Sequence, residues 1–265
     1  MFKSSEIRRK FALLPINPWH TVKEAPRAYL AKGEGEKIRQ MFNRIAWRYD
    51  FLNRLFTMGL DRRWRKKAVA SLGLGFEGPL LDVATGTADL ALEACRQYRL
   101  QKIVGLDVSE QMLALGQKKI DKRGLTEVIS LVQGPSERMP FEDGSFNGVM
   151  SGFGVRNFDN LDAGLSEMFR VLKRGGRLVI LEFSQSQNPL FRNLFHLYFR
   201  YLMPLVGRLV SKDPQAYTYL PDSVYRFPSG KEFLARIEQA GFQSVGVSVC
   251  MFGLVSVYFG HRVAK

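Results

Sequence analysis

The chain has 265 residues, 46% hydrophobic and 24% charged, which suits one α/β domain with added helices. Its two cysteines, Cys95 and Cys250, lie far apart and its three histidines are scattered. The sequence therefore predicts neither a disulfide framework nor a metal site, and it favours a reducing cytoplasm. No apolar run reaches the roughly 18 residues of a membrane-spanning helix, and the basic start does not read as a secretory signal.

The net charge of +14 is concentrated at the amino-terminal end. Residues 1–67 hold 17 Lys and Arg against 6 Asp and Glu, whereas the rest of the chain holds 22 against 19. Residues 1–35 contain three prolines and little periodicity, which predicts an irregular basic arm. Such an arm favours an anionic partner, either nucleic acid, phospholipid headgroups or an acidic protein, although it could also be a solvated surface that aids solubility.

The remaining elements are predicted in chain order from hydrophobic periodicity. Apolar residues three and four positions apart predict two helices over 36–73. Residues 79–183 alternate short apolar strands with helices, as right-handed βαβ units do. Residues 185–228 are predicted to form a helical segment over the site that is broken near Pro204. Residues 229–265 are predicted to form a last helix and two strands. The predicted strands are Leu80–Val83, Lys102–Asp107, Val128–Gln133, Phe146–Ser151, Gly176–Phe183, Gln243–Cys250 and Val255–Arg262.

A loop of small residues follows the first predicted strand, between Asp82 and Asp89. Small residues let a backbone approach a ligand closely, and a loop in this place faces the ligand crevice of a parallel sheet. Asp107 ends the next strand about 20 positions on, where a carboxylate can accept hydrogen bonds from two ribose hydroxyls. Asp89 would repel a pyrophosphate, which argues against a dinucleotide. Asp82 and Asp89 instead suit a ligand with a cationic end, and a tight turn without a ligand is the alternative.

The same loop resembles the first motif of class I methyltransferases, in which an acidic residue precedes three alternate glycines. This chain keeps Asp82 and Gly86 but has Ala84 and Ala88 at the other two glycine positions. We expect the alanines to be tolerated if their φ stays negative. The resemblance implies a Rossmann-like fold and S-adenosylmethionine, whose ammonium and sulfonium are cationic, as methyl donor without a metal. The residues it implies for the cofactor are Asp82, Gly86, Thr87, Asp89, Asp107, Ser136 and Gly152.

Several separated segments narrow the resemblance to the UbiE/menaquinone C-methyltransferase family. They are Tyr49–Asn53 with Trp64, Phe153–Asn157, Arg170–Arg177 running into Glu182-Phe183-Ser184, Tyr217–Pro228, and Ala240-Gly241-Phe242. The resemblance covers about Glu36 to Gly260. It implies methylation of a ring carbon of a prenylated quinol precursor, either demethylmenaquinol or a 2-polyprenyl-methoxy-benzoquinol. A homodimer is a further expectation, since this family often forms dimers. The expected architecture is one domain over 36–265 with a seven-stranded, mostly parallel sheet.

Three positions depart from the family pattern. Asp61 stands where the family usually has His, and Gly152 where it usually has Ser. Gly134-Pro135-Ser136 stands where a Gly/Ala-Asn/Asp-Ala run is usual. Pro135 has neither a backbone N–H nor a side chain for the adenine, so we expect the Ser136 N–H to serve there.

The resemblance also implies roles at the catalytic mouth. Arg156 is expected to stabilise the developing phenolate and Asn157 to orient a hydroxyl or water; the alternative for Arg156 is a structural ion pair with Glu182. Tyr49 and Asp50 are expected to cover the substrate together with Phe153. Helix capping and packing is the alternative for Tyr49 and Asp50.

The apolar segment 189–210 is expected to wall a prenyl tail, with a core or dimer helix as the alternative. The basic arm is expected to hold the protein peripherally at the cytoplasmic face of an anionic membrane. A nucleic-acid methyltransferase would fit the pI of about 9.9. Such enzymes typically carry an Asn/Asp-Pro-Pro-aromatic element where this chain has Ser151-Gly152-Phe153-Gly154, so nucleic acid is disfavoured. Another lipid or secondary-metabolite acceptor, or a non-catalytic binding subunit, stays open.

Overall fold

A computed structural model of the protein describes residues 34–73, 76–100, 102–186, 188–198 and 214–263. The basic arm before residue 34 and the predicted break at Pro204 lie outside these ranges. The described strands are β1 Leu80–Val83, β2 Ile103–Asp107, β3 Ile129–Gln133, β4 Phe146–Gly152, β5 Leu172–Phe183, β6 Gln243–Cys250 and β7 Val255–His261. The described α-helices are α1 Glu34–Phe56, α2 Asp61–Ala70, α3 Asp89–Gln97, α4 Glu110–Lys122, α5 Leu161–Val171, α6 Pro189–Leu197, α7 Pro214–Arg226 and α8 Lys231–Gln239.

All seven strands belong to one sheet with the order β3-β2-β1-β4-β5-β7-β6. The first five strands in this order are parallel, and β7 runs antiparallel to both β5 and β6. The predicted Rossmann-like, mostly parallel sheet is thereby confirmed. Because the strand order reverses between β1 and β4, the loops that leave these strands diverge and open a crevice at their carboxyl ends.

The strand β5, in the interior of the sheet, separates two hydrophobic cores. Leu178 and Ile180 pack into one core, and Val179 and Leu181 pack into the other. All four side chains are buried, and each contributes about 1.5–3 kcal/mol relative to exposure. This two-sided burial explains why the strand reads as a continuous apolar run rather than as an alternation of apolar and polar residues.

β5 begins earlier than the sequence predicts. The prediction placed its start at Gly176, whereas the strand starts at Leu172, directly after α5. Leu172 pairs with Phe146 and Arg177 pairs with Gly148, so residues 173–176 form an irregularity in the register. The pairing with Phe146, rather than the local glycines, decides where the strand begins.

The helix α1 lies over the carboxyl ends of the strands. Its buried residues Ile38, Met41 and Leu52 follow the helical period. It contacts α4 on one side and α7 on the other. The predicted helical segment 185–228 therefore contains two described helices, α6 and α7, of which α7 meets α1. None of the helices in the described ranges is long and apolar enough to cross a bilayer.

The loop after β1 adopts a backbone that the sequence did not predict. Ala84 and Ala88 have φ of 54° and 64°, so the expectation that their φ would stay negative is wrong. Gly86, between them, has φ of 55°. The left-handed region costs a residue with a Cβ about 1–2 kcal/mol, because the Cβ crowds the following carbonyl. The fold therefore holds two strained alanines at the turn from β1 into α3.

We expect Ala84→Gly to stabilise the protein by about 1 kcal/mol, because glycine adopts this φ without strain. For a chain of this size the gain corresponds to a rise in Tm of about 2–4 °C, measurable by calorimetry. Ala91→Gly is the matched control: Ala91 lies inside α3, where glycine costs about 1 kcal/mol, so its Tm should fall. A lower Tm for Ala84→Gly would show that the half-buried methyl group of Ala84 outweighs its backbone strain.

Candidate functional site

The crevice at the carboxyl ends of β1, β2 and β4 holds a cavity of about 340 Å³. It has the size of a small-molecule site and is covered by α1. The seven residues predicted to hold the cofactor all line it: Asp82, Gly86, Thr87, Asp89, Asp107, Ser136 and Gly152. Tyr49, Phe153 and Asn157 line it as well, and so does Pro135. Asp50 and Arg156, in contrast, do not line this cavity.

Asp82 presents a carboxylate oxygen that lacks a hydrogen-bond partner. Its Oδ2 accepts hydrogen bonds from the Thr85 hydroxyl at 2.6 Å and from the Ala91 N–H at 3.2 Å. Its Oδ1 is buried without a partner among the described residues. Burial raises the pKa of Asp82 to about 7, although the two hydrogen bonds oppose the shift. A buried, unsatisfied carboxylate oxygen in a cavity wall suits a ligand that brings a positive charge.

Asp107 is fixed by the backbone at the end of β2. Its Oδ2 accepts from the Gly86 N–H and its Oδ1 from the Ser109 N–H, both at 2.8 Å. Burial raises the pKa of Asp107, against the effect of these hydrogen bonds. Each carboxylate oxygen keeps a second lone pair, so the residue can still accept from ligand hydroxyls. The arrangement suits the predicted ribose contact.

Asp89 lines the cofactor cavity and also has two cationic partners within the protein. Lys119 donates to its Oδ1, and the Arg65 guanidinium lies 3.7 Å from its Oδ2. Burial by itself would raise the pKa of Asp89, but Arg65 and Lys119 outweigh it and hold the pKa below its usual value. The protein thus already balances the charge of Asp89. The sequence did not predict the roles of Arg65 and Lys119. The one signal that could have indicated Lys119 is its position beside the apolar, buried residues of α4.

Lys119 also holds α1 against residues 84–88, the loop between β1 and α3, which we call the cofactor loop. Its ammonium donates to Asp50 Oδ2 and to the Thr87 hydroxyl, both at 2.8 Å. The Thr87 hydroxyl in turn donates to Asp50 Oδ1 at 2.6 Å. A second polar contact, from the Ser109 hydroxyl to Asn43 Oδ1 at 2.6 Å, ties the same helix to the start of α4. Asp50 therefore contacts the cofactor loop and lines neither cavity.

Asp61, which stands where the family usually has His, belongs to the same group of charges as Arg65 and Asp89. Asp61 is buried at the start of α2 and accepts a hydrogen bond from Arg65, one helical turn later. Arg65 is buried too, and it reaches Asp89 on its other side. The acidic residue at this position is thus paired with a cation supplied by its own helix.

A second cavity, of about 450 Å³, adjoins the first. The two share Phe42, Tyr49, Arg65 and Phe153 as a common wall. The second cavity is lined mainly by aromatic and aliphatic side chains: Met41, Ile45, Leu52, Phe56, Met58, Trp64, Phe183, Phe191, Phe195, Tyr198, Leu220, Met251, Phe252 and Leu254. The Phe153 ring packs at 4.8 Å from that of Phe183 and at 6.3 Å from that of Trp64. A polar cavity and an apolar cavity therefore meet at Phe153.

Arg156 lies in the wall of the apolar cavity, in a buried ion pair with Glu182. Its Nη1 donates to Glu182 Oε1 at 2.9 Å and to the Phe153 carbonyl, and its Nε donates to the Ser223 hydroxyl at 3.3 Å. The ion pair that the sequence left as the alternative is therefore present. Asn157 faces the other cavity, and its Oδ1 accepts from the Tyr219 hydroxyl at 2.6 Å.

Solved structures with this fold include methyltransferases. An S-adenosylmethionine-dependent methyltransferase of Thermotoga maritima has a TM-score of 0.59 at 17% identity, covering 85% of this chain and 99% of that one. The 4+2 cyclase SpnF has a TM-score of 0.65 at 16% identity, covering 87% of this chain and 97% of that one. The cyclase shows that the fold alone does not settle the chemistry. The fold together with the sequence relatives below places the chain among the S-adenosylmethionine-dependent methyltransferases of class I.

The family follows from the sequence. The model of the ubiE/COQ5 methyltransferase family matches residues 30–262, and the chain belongs to this family. It is 46% identical over 238 residues to the ubiquinone/menaquinone biosynthesis C-methyltransferase UbiE of Geobacter sulfurreducens, covering 89% of this chain and 93% of that protein. It is 40% identical over 225 residues to the demethylmenaquinone methyltransferase of Bacteroides fragilis, covering 85% and 92%.

We expect Lys119→Met to weaken S-adenosylmethionine binding at least about tenfold, because Asp50 and Asp89 would be left as neighbouring like charges and α1 would lose its tie to the cofactor loop. Isothermal titration calorimetry measures the Kd. Lys118→Met, which removes an exposed lysine from the adjacent position, is the control and should bind as the unaltered protein does. Equal Kd values for the two variants would contradict a role for Lys119 in shaping the cavity.

We expect the Kd for S-adenosylmethionine to rise as pH falls below about 7, by up to about tenfold per pH unit. The sign follows from Asp82: its pKa of about 7 leaves it increasingly protonated below that pH, and a cationic ligand favours the ionised form. Titrations between about pH 5.5 and 8.5 measure the effect. Asp82→Asn should bind more weakly at the upper end of this range, approach the unaltered protein at the lower end, and lose this pH dependence. A Kd of the unaltered protein that stays constant over the range would rule out Asp82 as the titrating group.

Proposed function

We propose that the protein transfers the methyl group of S-adenosylmethionine to a ring carbon of a prenylated quinol precursor, demethylmenaquinol or a 2-polyprenyl-methoxy-benzoquinol. The relatives support this proposal, since the names of the two proteins above refer to ubiquinone and menaquinone biosynthesis and to demethylmenaquinone. Their matches span most of each chain, so the comparison extends over the site as well as the fold.

The observation that carries the proposal is the apolar cavity beside the cofactor cavity. A prenyl tail gains about 0.8 kcal/mol for each CH₂-sized group it buries, and a wall of aromatic and aliphatic side chains supplies that burial. The two cavities meet at Phe153 and Tyr49, where a ring head in one can face a methyl donor in the other. A small water-soluble acceptor would not need so large an apolar space.

We propose that the seven residues of the cofactor cavity hold S-adenosylmethionine. When bound, it supplies a methyl group on a cationic sulfur, which is already activated for transfer. The protein has to align the acceptor carbon behind that methyl group, and orientation of this kind can supply about 7–11 kcal/mol of the barrier. Asp82, with its unpartnered oxygen, would balance the positive charge of the donor before transfer.

Arg156 and Asn157 are proposed to act on the acceptor. A hydroquinol ring carbon becomes nucleophilic as a ring hydroxyl loses its proton, and the guanidinium of Arg156 would stabilise the resulting phenolate. The ion pair with Glu182 holds that guanidinium in the cavity wall. Asn157, fixed by Tyr219, would orient the hydroxyl or a water. Burial raises the pKa of Tyr49, which therefore stays protonated at neutral pH and can donate to the acceptor.

We also propose that the protein works at the cytoplasmic face of a membrane, where a prenylated acceptor resides. The basic residues of the amino-terminal arm support this proposal, because each basic residue near an anionic surface adds about 1 kcal/mol of attraction.

Methyl transfer from labelled S-adenosylmethionine tests the reaction. The full chain is incubated with a demethylmenaquinol and, separately, with a demethylated ubiquinol precursor. Label in either quinol supports the proposal and identifies the ring. If neither takes label while S-adenosylmethionine still binds, the quinol proposal fails and other lipid-soluble acceptors become the candidates.

In that assay we expect Arg156→Lys to lower kcat about 10²-fold with the Kd for S-adenosylmethionine unchanged, since lysine keeps the charge opposite Glu182 but not the planar guanidinium. The Tm should fall less than in Arg156→Ala, because lysine keeps the ion pair with Glu182 but loses the hydrogen bond to Ser223. Arg156→Ala is a poorer probe, because it leaves Glu182 buried without a partner at a cost of about 3–5 kcal/mol. Arg170→Lys, at an ion-paired arginine outside both cavities, is the control. Full turnover by Arg156→Lys would show that Arg156 serves only the ion pair with Glu182 and does not act on the acceptor.

A further inference from the structure

The outer face of α1 carries apolar side chains that the fold leaves in solvent. Trp47, Phe51 and Leu55 are 69%, 58% and 41% exposed and follow one another at intervals of four residues. This spacing places them on one face of the helix, and we call them the apolar stripe. None of them lines either cavity. The reaction proposed above makes no use of this face.

Arginines share the face with the apolar stripe. Arg44 lies three residues before Trp47, and Arg54 lies three residues after Phe51, so both are helical neighbours of the stripe. The Arg48 guanidinium stacks at 3.9 Å over the Trp47 ring. Arg62 and Arg63 continue the basic surface at the start of α2.

The described parts of α1 and α2 after Glu36 contain no exposed carboxylate. Between residues 37 and 73 the acidic residues are Asp50, which is half-buried, and Asp61, which is buried. Both are paired, Asp50 with Lys119 and Asp61 with Arg65. From residue 37 onward the charged residues on the exposed face of α1 and α2 are therefore basic and lie among apolar side chains, a composition typical of helices that lie in the headgroup region of an anionic bilayer.

The mouth of the apolar cavity opens beside this face. Met58 and Phe252 line the cavity and yet are 76% and 67% exposed, so they mark where it meets solvent. Met58 follows Leu55 by three residues. The apolar stripe thus leads along α1 to the opening through which a prenyl tail would enter.

We infer that the apolar stripe, with Met58, Phe252 and the neighbouring arginines, is a docking surface for an anionic lipid bilayer. The surface would place the mouth of the apolar cavity in the headgroup region. The prenylated acceptor could then enter without its tail crossing water. This inference rests on the proposed function for the identity of the lipid-soluble acceptor, but the docking itself does not depend on it.

Charge argues against occupants taken from the chain itself. Residues 1–33 hold seven Lys and Arg against two Asp and Glu, and residues 199–213 hold three against one, so both segments repel a basic surface. A second copy would bring the same basic face against itself. An anionic bilayer, in contrast, complements the arginines and takes up the apolar side chains.

Vesicle flotation of the full chain tests the inference. The vesicles contain phosphatidylcholine, alone or with about one third phosphatidylglycerol. The unaltered protein should bind the anionic vesicles and bind less at high salt. Trp47→Ser/Phe51→Ser should lower that partitioning at least about tenfold. Val263→Ser, at a 45% exposed valine beyond the carboxyl end of β7, is the control and should bind normally.

The charges are tested in the same way. Arg54→Gln/Arg62→Gln/Arg63→Gln should weaken binding to anionic vesicles about fivefold for each residue. Lys173→Gln/Arg174→Gln is the control. These exposed residues lie at the amino-terminal end of β5, whereas α1 lies over the carboxyl ends of the strands. Equal losses per removed charge in the two sets would reduce the effect to net charge and overturn a specific docking face.

Contact with the lipid is measured through Trp47. Brominated lipids should quench tryptophan emission of the unaltered protein, and Trp47→Phe should bind equally well with less quenching. Absence of quenching, or unchanged flotation of Trp47→Ser/Phe51→Ser, would overturn the inference. A smaller oligomer for that variant on gel filtration would show instead that the stripe covers a second copy of the chain.

Turnover separates the two proposals. A short-tailed, water-soluble quinol should be methylated equally by the unaltered protein and by Trp47→Ser/Phe51→Ser, whereas a long-tailed quinol in anionic vesicles should be methylated more slowly by the variant. Loss of both activities would place these residues in the site and overturn the docking role. If no quinol takes label but flotation still depends on the stripe, the proposed function fails and the docking surface stands.

Discussion

Two cations, Arg65 and Lys119, stand between three carboxylates where the amino-terminal helices meet the cofactor loop. Arg65 bridges Asp61 and Asp89, and Lys119 bridges Asp89 and Asp50. Each charge has an opposite neighbour, which lets the group lie partly buried. The carboxylates outnumber the cations by one, so the network favours a positive charge nearby. Since it fastens α1, and α1 lines both cavities, the shape of the whole site depends on it.

The common wall between the two cavities contains Phe153, whose backbone is held in place by its neighbours. Phe153 is held in the left-handed region, with φ of 60°, while its N–H donates to the Leu181 carbonyl and its own carbonyl accepts from Arg156. Its neighbours therefore fix its backbone on both sides. In the reaction proposed above, a donor in the polar cavity and a ring in the apolar cavity would meet at this wall, and the contribution of the protein would be their placement.

One helix serves three environments. The inner face of α1 packs Met41 and Leu52 against the apolar cavity, and Asp50 joins the cofactor loop through Lys119. Its outer face leaves Trp47 and Phe51 in solvent. This division places the cofactor cavity, the apolar cavity and the exposed surface on a single helix. It also explains why α1 does not follow a simple amphipathic pattern: apolar residues lie on its outer face as well as on its inner face.

The sequence by itself determined the seven strands and the position of the loop after β1, because short apolar runs and loop residues carry their own signal. Its resemblance to class I methyltransferases supplied seven of the residues that line the cofactor cavity. Only the tertiary structure decided the positive φ of Ala84, the start of β5 at Leu172, and the pairing of Asp89 with Lys119 across 30 positions. It also decided the apolar cavity, whose walls come from distant segments. The physical reason is that each depends on contacts between residues far apart in the chain, about which periodicity carries no information.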